Sequence, residues 1–328
     1  MSENDLMLIE PDGDAVLLVR DESCEQQIRL RVKTPLLREA SPVFDIMFGH
    51  KFAEGQALDK YAPPEIPLED DPECMKLICQ VVHFQTSNLP RHLPASQVLQ
   101  LARTVDKYGL LEAMDLAFDR WLMPSKDIHD LHLFMRAAML LKHEAGFQSV
   151  TRELLHVMVS KAPFVAEGRN FGLRDEDLPI LCMYSLARGC QYADVEDTLE
   201  QRRADLRVEV NQFIFQEALS IAGSCQCGWA ARFASNSMEN AQSNGLDPKG
   251  VADMSIAKVI ERLESMGDPI VPSPGEDGGC QNKRWHTAPK FIRYSRRLAL
   301  ECLREVGGLR LDCWEEAMQD ENKHGVIE

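Results

Sequence analysis

The chain has 328 residues, and its 36 Lys and Arg stand against 52 Asp and Glu, a formal charge of −16. Hydrophobic residues at 45% supply enough material for packed cores, which excludes a disordered composition, and the length suggests roughly two domains. A surface made to lie on a phosphate backbone or on anionic lipid is basic, so neither nucleic acid nor a membrane is expected as a partner.

The first third mixes strand and helix signals. Asp14-Ala-Val-Leu-Leu-Val-Arg20 is β-rich and lies between the turn signals Pro11-Asp-Gly13 and Asp21-Glu-Ser23. In Gln27–Lys33 the apolar Ile28, Leu30 and Val32 alternate with polar residues, the pattern of a half-buried strand, and the two runs pair as a hairpin. Thr34-Pro35 starts a helix with Thr as N-cap and Pro at the first helical position. Its apolar positions run on through Val43, Phe44, Met47 and Phe48, with Ser41-Pro42 in mid-helix and a bend there. Leu37, Val43 and Phe44 are expected to bury against a helix over about 73–84. Ile66-Pro-Leu68 is a brief strand, and Asp71-Pro72 opens that next helix. Ser96 caps another, which Gly109 ends, and a fourth covers about 110–122.

From residue 126 onward the patterns are helical: about 127–144, 148–160, 175–188, 193–222, 228–241, 253–266 and 288–306. Breaks fall at Lys161-Ala-Pro163, at Asn244–Gly250 and in a Pro/Gly-rich loop at 268–289. The division expected is a domain at 12–122 and a helical C-terminal domain at 126–328. The N-terminus has no basic segment ahead of a long apolar run, so no signal peptide is expected, and no stretch approaches the roughly 18 apolar residues of a membrane span. The ten Cys therefore read as reduced thiols of the cytoplasm or nucleus, mostly buried small hydrophobes.

Val32, Leu37, Ser41 and Phe44 stand where BTB/POZ domains carry Phe-x-Val-His-x-x-x-Leu-x-x-x-Ser-x-x-Phe. Here the run is Leu30-Arg-Val-Lys-Thr-Pro-Leu-Leu-Arg-Glu-Ala-Ser-Pro-Val-Phe44. Asp106-Lys107-Tyr108 is similar to that family's Ala-Asp-Lys-Tyr segment, and Val82-His83 through Leu89-Pro90 and Leu93 resembles the fungal branch. Residues 12–122 thus resemble a fungal-type BTB/POZ domain. The resemblance implies an α+β fold, a short sheet with helices, followed here by an all-α C-terminal domain. It also implies a non-enzymatic protein-interaction module, since many BTB domains self-associate and many serve as adaptors for cullin-type ubiquitin ligases. Three features depart from the family: Lys33 replaces its His, Val82-His-Phe84 replaces Tyr-Thr-Gly, and about 13 residues precede the first strand, too few for the extra N-terminal helix of swapped dimers. The cullin-adaptor branch carries a hydrophobic-x-Glu tripeptide after the Ser-bearing helix, and Phe52-Ala53-Glu54 fits it. Phe48, Phe52 and Glu54 are the candidate partner-binding residues.

The chemistry-bearing clusters are few. Cys225, Cys227, Cys280 and His286 have the side chains of a tetrahedral structural zinc site. The alternatives are a core Cys225 with a free loop thiol at Cys280, or a redox disulfide. His129, His132 and His143, near Asp127 and Asp130, read as a polar helix face with an N-cap Asp rather than as metal ligands. His143-Glu144 is not followed by a second His, because Phe147 stands there. Arg293-Tyr-Ser-Arg-Arg297 reads as a solvated basic face. Val195, Leu199, Leu206, Val210, Phe213 and Ile221 read as one side of a packed helix. Nucleotide-binding and hydrolase motifs are absent, and with no catalytic constellation the chain is expected to be no enzyme and to need no cofactor, zinc apart.

Overall fold

The computed structural model describes residues 6–21, 27–123, 125, 127–158, 191–222, 228–272, 286 and 289–310. The chain divides into two compact units, Met1–Val150 and Thr151–Glu328. The fold is α+β, with a four-stranded mixed sheet near the N-terminus followed by helices.

The strands are β1 (Leu6–Leu8), β2 (Ala15–Arg20), β3 (Gln27–Val32) and β4 (Glu65–Glu69), in the order β1-β3-β2-β4. The expected hairpin forms: β2 and β3 are antiparallel, with Ala15 opposite Val32 and Arg20 opposite Gln27. β4 pairs parallel to β2, and β1 parallel to β3. β2 is central and buries Ala15, Val16, Leu17 and Val19. β3 keeps its alternation, with Leu30 and Val32 fully buried. Pro67 is tolerated because β4 is an outer strand and Pro67 faces out.

The helices of the first unit are α1 (Thr34–Ala40), α2 (Pro42–Met47), α3 (Ala53–Gln56), α4 (Pro72–Val82), α5 (Ala95–Tyr108), α6 (Leu111–Trp121) and α7 (Ile128–Leu140); α8 (Glu144–Val157) crosses the division. The unit therefore runs past the 12–122 stretch. Asp71, with Pro72 behind it, caps α4 by accepting from the Cys74 N–H, and Gly109 closes α5 in the left-handed region at φ 64°. Asp127 caps α7 as expected.

The structure corrects several expectations. Thr34 lies inside α1, because Asp14 takes over the capping: its carboxylate accepts from the Thr34 N–H at 2.7 Å and from Oγ1 at 2.8 Å. Pro94, not Ser96, precedes α5. α7 stops at Leu140, so His143 does not stack above His132; it sits at the start of α8, where its Nδ1 accepts from the Gly146 N–H. The largest correction concerns Ser41. The backbone there is extended (φ −144°, ψ 121°), and its hydroxyl oxygen accepts from the Phe44 N–H. The expected bent helix is two helices, with Ser41-Pro42 as N-cap and first position of the second.

We expect Asp14→Ala to lose about 2 kcal/mol, because two donors lose a charged acceptor in a half-buried position. Urea denaturation measures this, and a loss under about 0.5 kcal/mol would mean that water replaces the carboxylate.

The second unit is helical among the described residues. α9 (Gln191–Asn211) continues through a π-helical turn at Gln212–Gln216 into α10 (Glu217–Ala222). α11 (Trp229–Ser243), α12 (Pro248–Ala252), α13 (Ile256–Ser265) and α14 (Pro289–Arg304) follow. α12 forms inside the expected break at 244–250, since Asp247-Pro248 is itself a helix start. Val195, Leu199, Leu206 and Val210 are buried, as a packed helix requires. The expected helix at 175–188 and the break at 161–163 lie outside the described residues. Among the described residues no helix is long and apolar enough to cross a membrane.

Candidate protein-docking surface

The break at Ser41 decides what α2 shows to solvent. Ser41 is buried, its Oγ donating to the Tyr108 carbonyl at 2.5 Å, and this pins the start of α2 to the end of α5. From that anchor Phe44 points inward and stacks on the Tyr108 ring, with centroids 4.6 Å apart. Phe48, one turn on, stacks on Phe44 at 5.6 Å. Val43 and Ile46 then point outward, three residues apart on the opposite side, and Ile46 is 62% exposed.

Two of the expected positions are therefore corrected. Val43 is exposed, because helical phase restarts at Ser41 and rotates it away from α4. Phe48 is 1% exposed; its ring belongs to the core and is out of a partner's reach.

The loop after α2 is closely fitted. Phe52 N–H donates to the Gly49 carbonyl at 3.1 Å, Gln56 N–H to Phe52 at 3.1 Å, and Gln56 Nε2 to the His50 carbonyl at 3.0 Å. A Cβ on the buried Gly55 would lie 2.2 Å from the Gly49 oxygen and 2.5 Å from that of Phe48. Only glycine permits this approach, which folds α3 back on the end of α2. The result presents Phe52 at the head of α3 with extended backbone, the residue 46% exposed. Glu54, half-buried, lies in the first turn of α3. Val43, Ile46 and Phe52 thus give the α2–α3 segment three exposed apolar side chains on an ordered backbone, with Glu54 close by in sequence.

Cys225, Cys227 and Cys280 lie outside the described residues. His286 lies within them and stacks on Trp229, with centroids 4.6 Å apart. Among the described residues no group of three or more His, Cys, Asp or Glu is placed to hold a metal ion. Cys74 and Cys79 are free and buried, as expected; burial pushes the Cys79 thiol up to about 12 and the Cys74 thiol higher still. In the basic cluster on α14, Arg293 and Arg296 share Asp268 and Arg297 pairs with Glu301, so its charges are answered within the unit.

The tripeptide singled out Phe52, which is exposed, and Glu54, which is half-buried; the exposure of Val43 and Ile46 was not expected. The signal was available: Ser-Pro is an N-cap followed by a first helical position, and it resets the register. Comparison of the chain with protein-family models, with curated proteins and with solved structures finds no match.

Proposed function

We propose that the chain is a non-enzymatic interaction protein that docks a protein partner on its α2–α3 segment. The observation that carries this reading is the exposed Phe52 ring on a loop held tight by Gly55. A backbone fixed before binding loses little conformational entropy on contact, so more of the ring's burial becomes affinity. Val43 and Ile46 widen the apolar contact, and Glu54 adds a charge that selects orientation. The described elements of the N-terminal unit are three strands, three short helices, a fourth strand and then helices, and the unit is read as a BTB/POZ domain on its residue resemblance. The partner proposed is a cullin-type ubiquitin-ligase scaffold, with the Phe52-Ala53-Glu54 tripeptide as its contact; a self-associating scaffold is the alternative.

Affinity purification of the tagged full chain with mass spectrometry tests this. We expect a cullin to be recovered with the wild type and depleted at least about tenfold with Phe52→Ala/Glu54→Ala, the effect of losing one hot-spot aromatic. A cullin retained undiminished by the double variant, or never recovered, would overturn the adaptor reading.

A further inference from the structure

After α13 the chain runs extended along α11. Met266 leaves α13 at φ −67° and ψ 123°, close to the dihedrals of a polyproline II helix, and the rings of Pro269 and Pro272 fix a matching φ further on. Met266 and Pro269 are buried and Pro272 is half-buried, while Gly267, Asp268, Ile270 and Val271 are exposed. Burial of every third residue is the period of that helix.

Three side chains of α11 donate to carbonyls of this segment. Asn240 Nδ2 reaches Gly267 at 2.9 Å, Asn236 Nδ2 reaches Ile270 at 2.7 Å, and Trp229 Nε1 reaches Pro272 at 2.9 Å. The segment is therefore antiparallel to α11. The α-helical rise over 229–240 and the polyproline II rise over 267–272 are both about 16 Å, so donors and carbonyls keep in step. Asp268 meets α14: Arg293 Nε donates to its Oδ2 at 2.8 Å, and Arg296 Nη2 lies 3.5 Å from its Oδ1. Arg296 Nη1 also donates to the Met266 carbonyl.

These are the contacts of a bound peptide. Donors to main-chain carbonyls recognise an extended backbone, and two guanidinium groups recognise one carboxylate. They also hold the segment weakly. The bonds from Asn236, Asn240 and Arg293 are exposed, so water can replace them, and exposed ion pairs add little. Ile270 is 79% exposed, so its release gives up little apolar burial. The fit beneath Pro269 is incomplete. Met266, Pro269 and Leu263, with Phe213 and Ile214 of the π-helical turn, line a cavity of about 30 Å³. A larger apolar side chain in the place of Pro269 gains contacts there that the proline ring does not make. Single π-helical turns are frequent at functional sites.

We propose that α11 and α14 form a groove for an extended peptide, and that Met266–Pro272 occupies it until a partner's peptide takes its place. The partner's peptide is in polyproline II conformation and carries a carboxylate, which pairs with Arg293 and Arg296, followed by a large apolar residue, which enters the cavity. This surface lies in the second unit, and the proposal does not rest on docking at α2–α3.

Fluorescence anisotropy tests it with a labelled peptide that copies Ser265–Pro272 and carries Pro269→Leu. The proteins are the full chain and its Asp268→Ala/Pro269→Gly variant, in which the chain's own segment is released. We expect the released variant to bind the peptide. The wild type should bind at least about tenfold more weakly, because its own segment competes at high effective concentration. Adding Asn236→Ala/Asn240→Ala to the released variant, or Asp268→Asn to the peptide, should weaken binding at least about tenfold, while adding Phe52→Ala/Glu54→Ala leaves it unchanged. Circular dichroism checks the helix content of the released variant, and the milder Asp268→Asn chain replaces it if helix is lost. A released variant of native helix content that does not bind would overturn the proposal. Binding as tight in the wild type, or undiminished by the asparagine variants, would do the same. Wild-type dimers in sedimentation velocity that are absent from the released variant would make a second copy the occupant, which also overturns it.

Discussion

Phe44→Ala is expected to remove about 3–5 kcal/mol of stability, the range for emptying a buried aromatic site. Domains are stable by only about 5–15 kcal/mol, so most of the margin of the first unit is at stake. The ring is fully buried and lies between Tyr108 and Phe48, so its loss opens a gap that touches α2 and α5 at once. The Tyr108 hydroxyl donates to Asp70 Oδ2 at 2.6 Å, and Lys107 holds the other oxygen of that carboxylate at 2.7 Å. Burial, together with the Asp70 carboxylate, holds the Tyr108 phenol well above its ordinary range, so this bond keeps its donor throughout the accessible pH range. A cavity at Phe44 loosens one side of that junction. Phe44→Leu should cost less, because it retains most of the volume. Guanidinium denaturation of the full chain reads the effect, and an alanine variant within about 1 kcal/mol of wild type would show that the site collapses around the gap.

The second large effect is pH-dependent. Burial lowers the His132 imidazole to about 4, and the neighbouring Arg136 and His129 push the same way. An unfolded histidine titrates near 6.5. At pH 7 the ring is neutral in the folded chain and mostly neutral in the unfolded one, so the loss there is small. As pH falls from about 6.5 towards 4 the unfolded chain takes up a proton that the folded chain refuses, so stability falls with pH across that window. One pKa unit is worth about 1.4 kcal/mol, and partial solvent exposure reduces the total to on the order of 2–3 kcal/mol. His83 is also lowered, chiefly by burial, and adds to the loss with the same sign. Protonation there would place a second N–H against the Lys33 amide. Urea midpoints at pH 7.5, 6 and 5 should therefore fall steadily for the wild type and more gently for His132→Phe. Parallel curves for the two proteins would assign the acid sensitivity to other groups.

The local part of this structure was legible in the residues. Ile28, Leu30 and Val32 marked β3 because a period of two has one reading on a pleated strand. Asp71-Pro72 and Gly109 marked helix ends because capping and a left-handed turn need those side chains or their absence. Thr34 misled for a related reason: it has the chemistry of a cap, but a carboxylate 20 residues away reaches its amide first. Phe52 was visible as one member of a tripeptide. Whether its ring faced solvent depended on Gly55 lying against the carbonyls of Gly49 and Phe48, a contact without a periodic signature.

The residue patterns by themselves determined an acidic chain with a strand hairpin and one further brief strand in its first third and helices after them, because propensity, capping and burial periodicity act over a few neighbours. Which aromatic rings face the core and which face water was decided only by the tertiary structure. Phe44 and Phe48 are buried while Phe52 and Phe84 are not, and no difference of residue type separates them. The distinction comes from where Ser41 restarts a helix, from the close approach of Gly55 to Gly49, and from where Tyr108 and Lys33 lie across the fold, the last two being contacts between residues far apart in the chain.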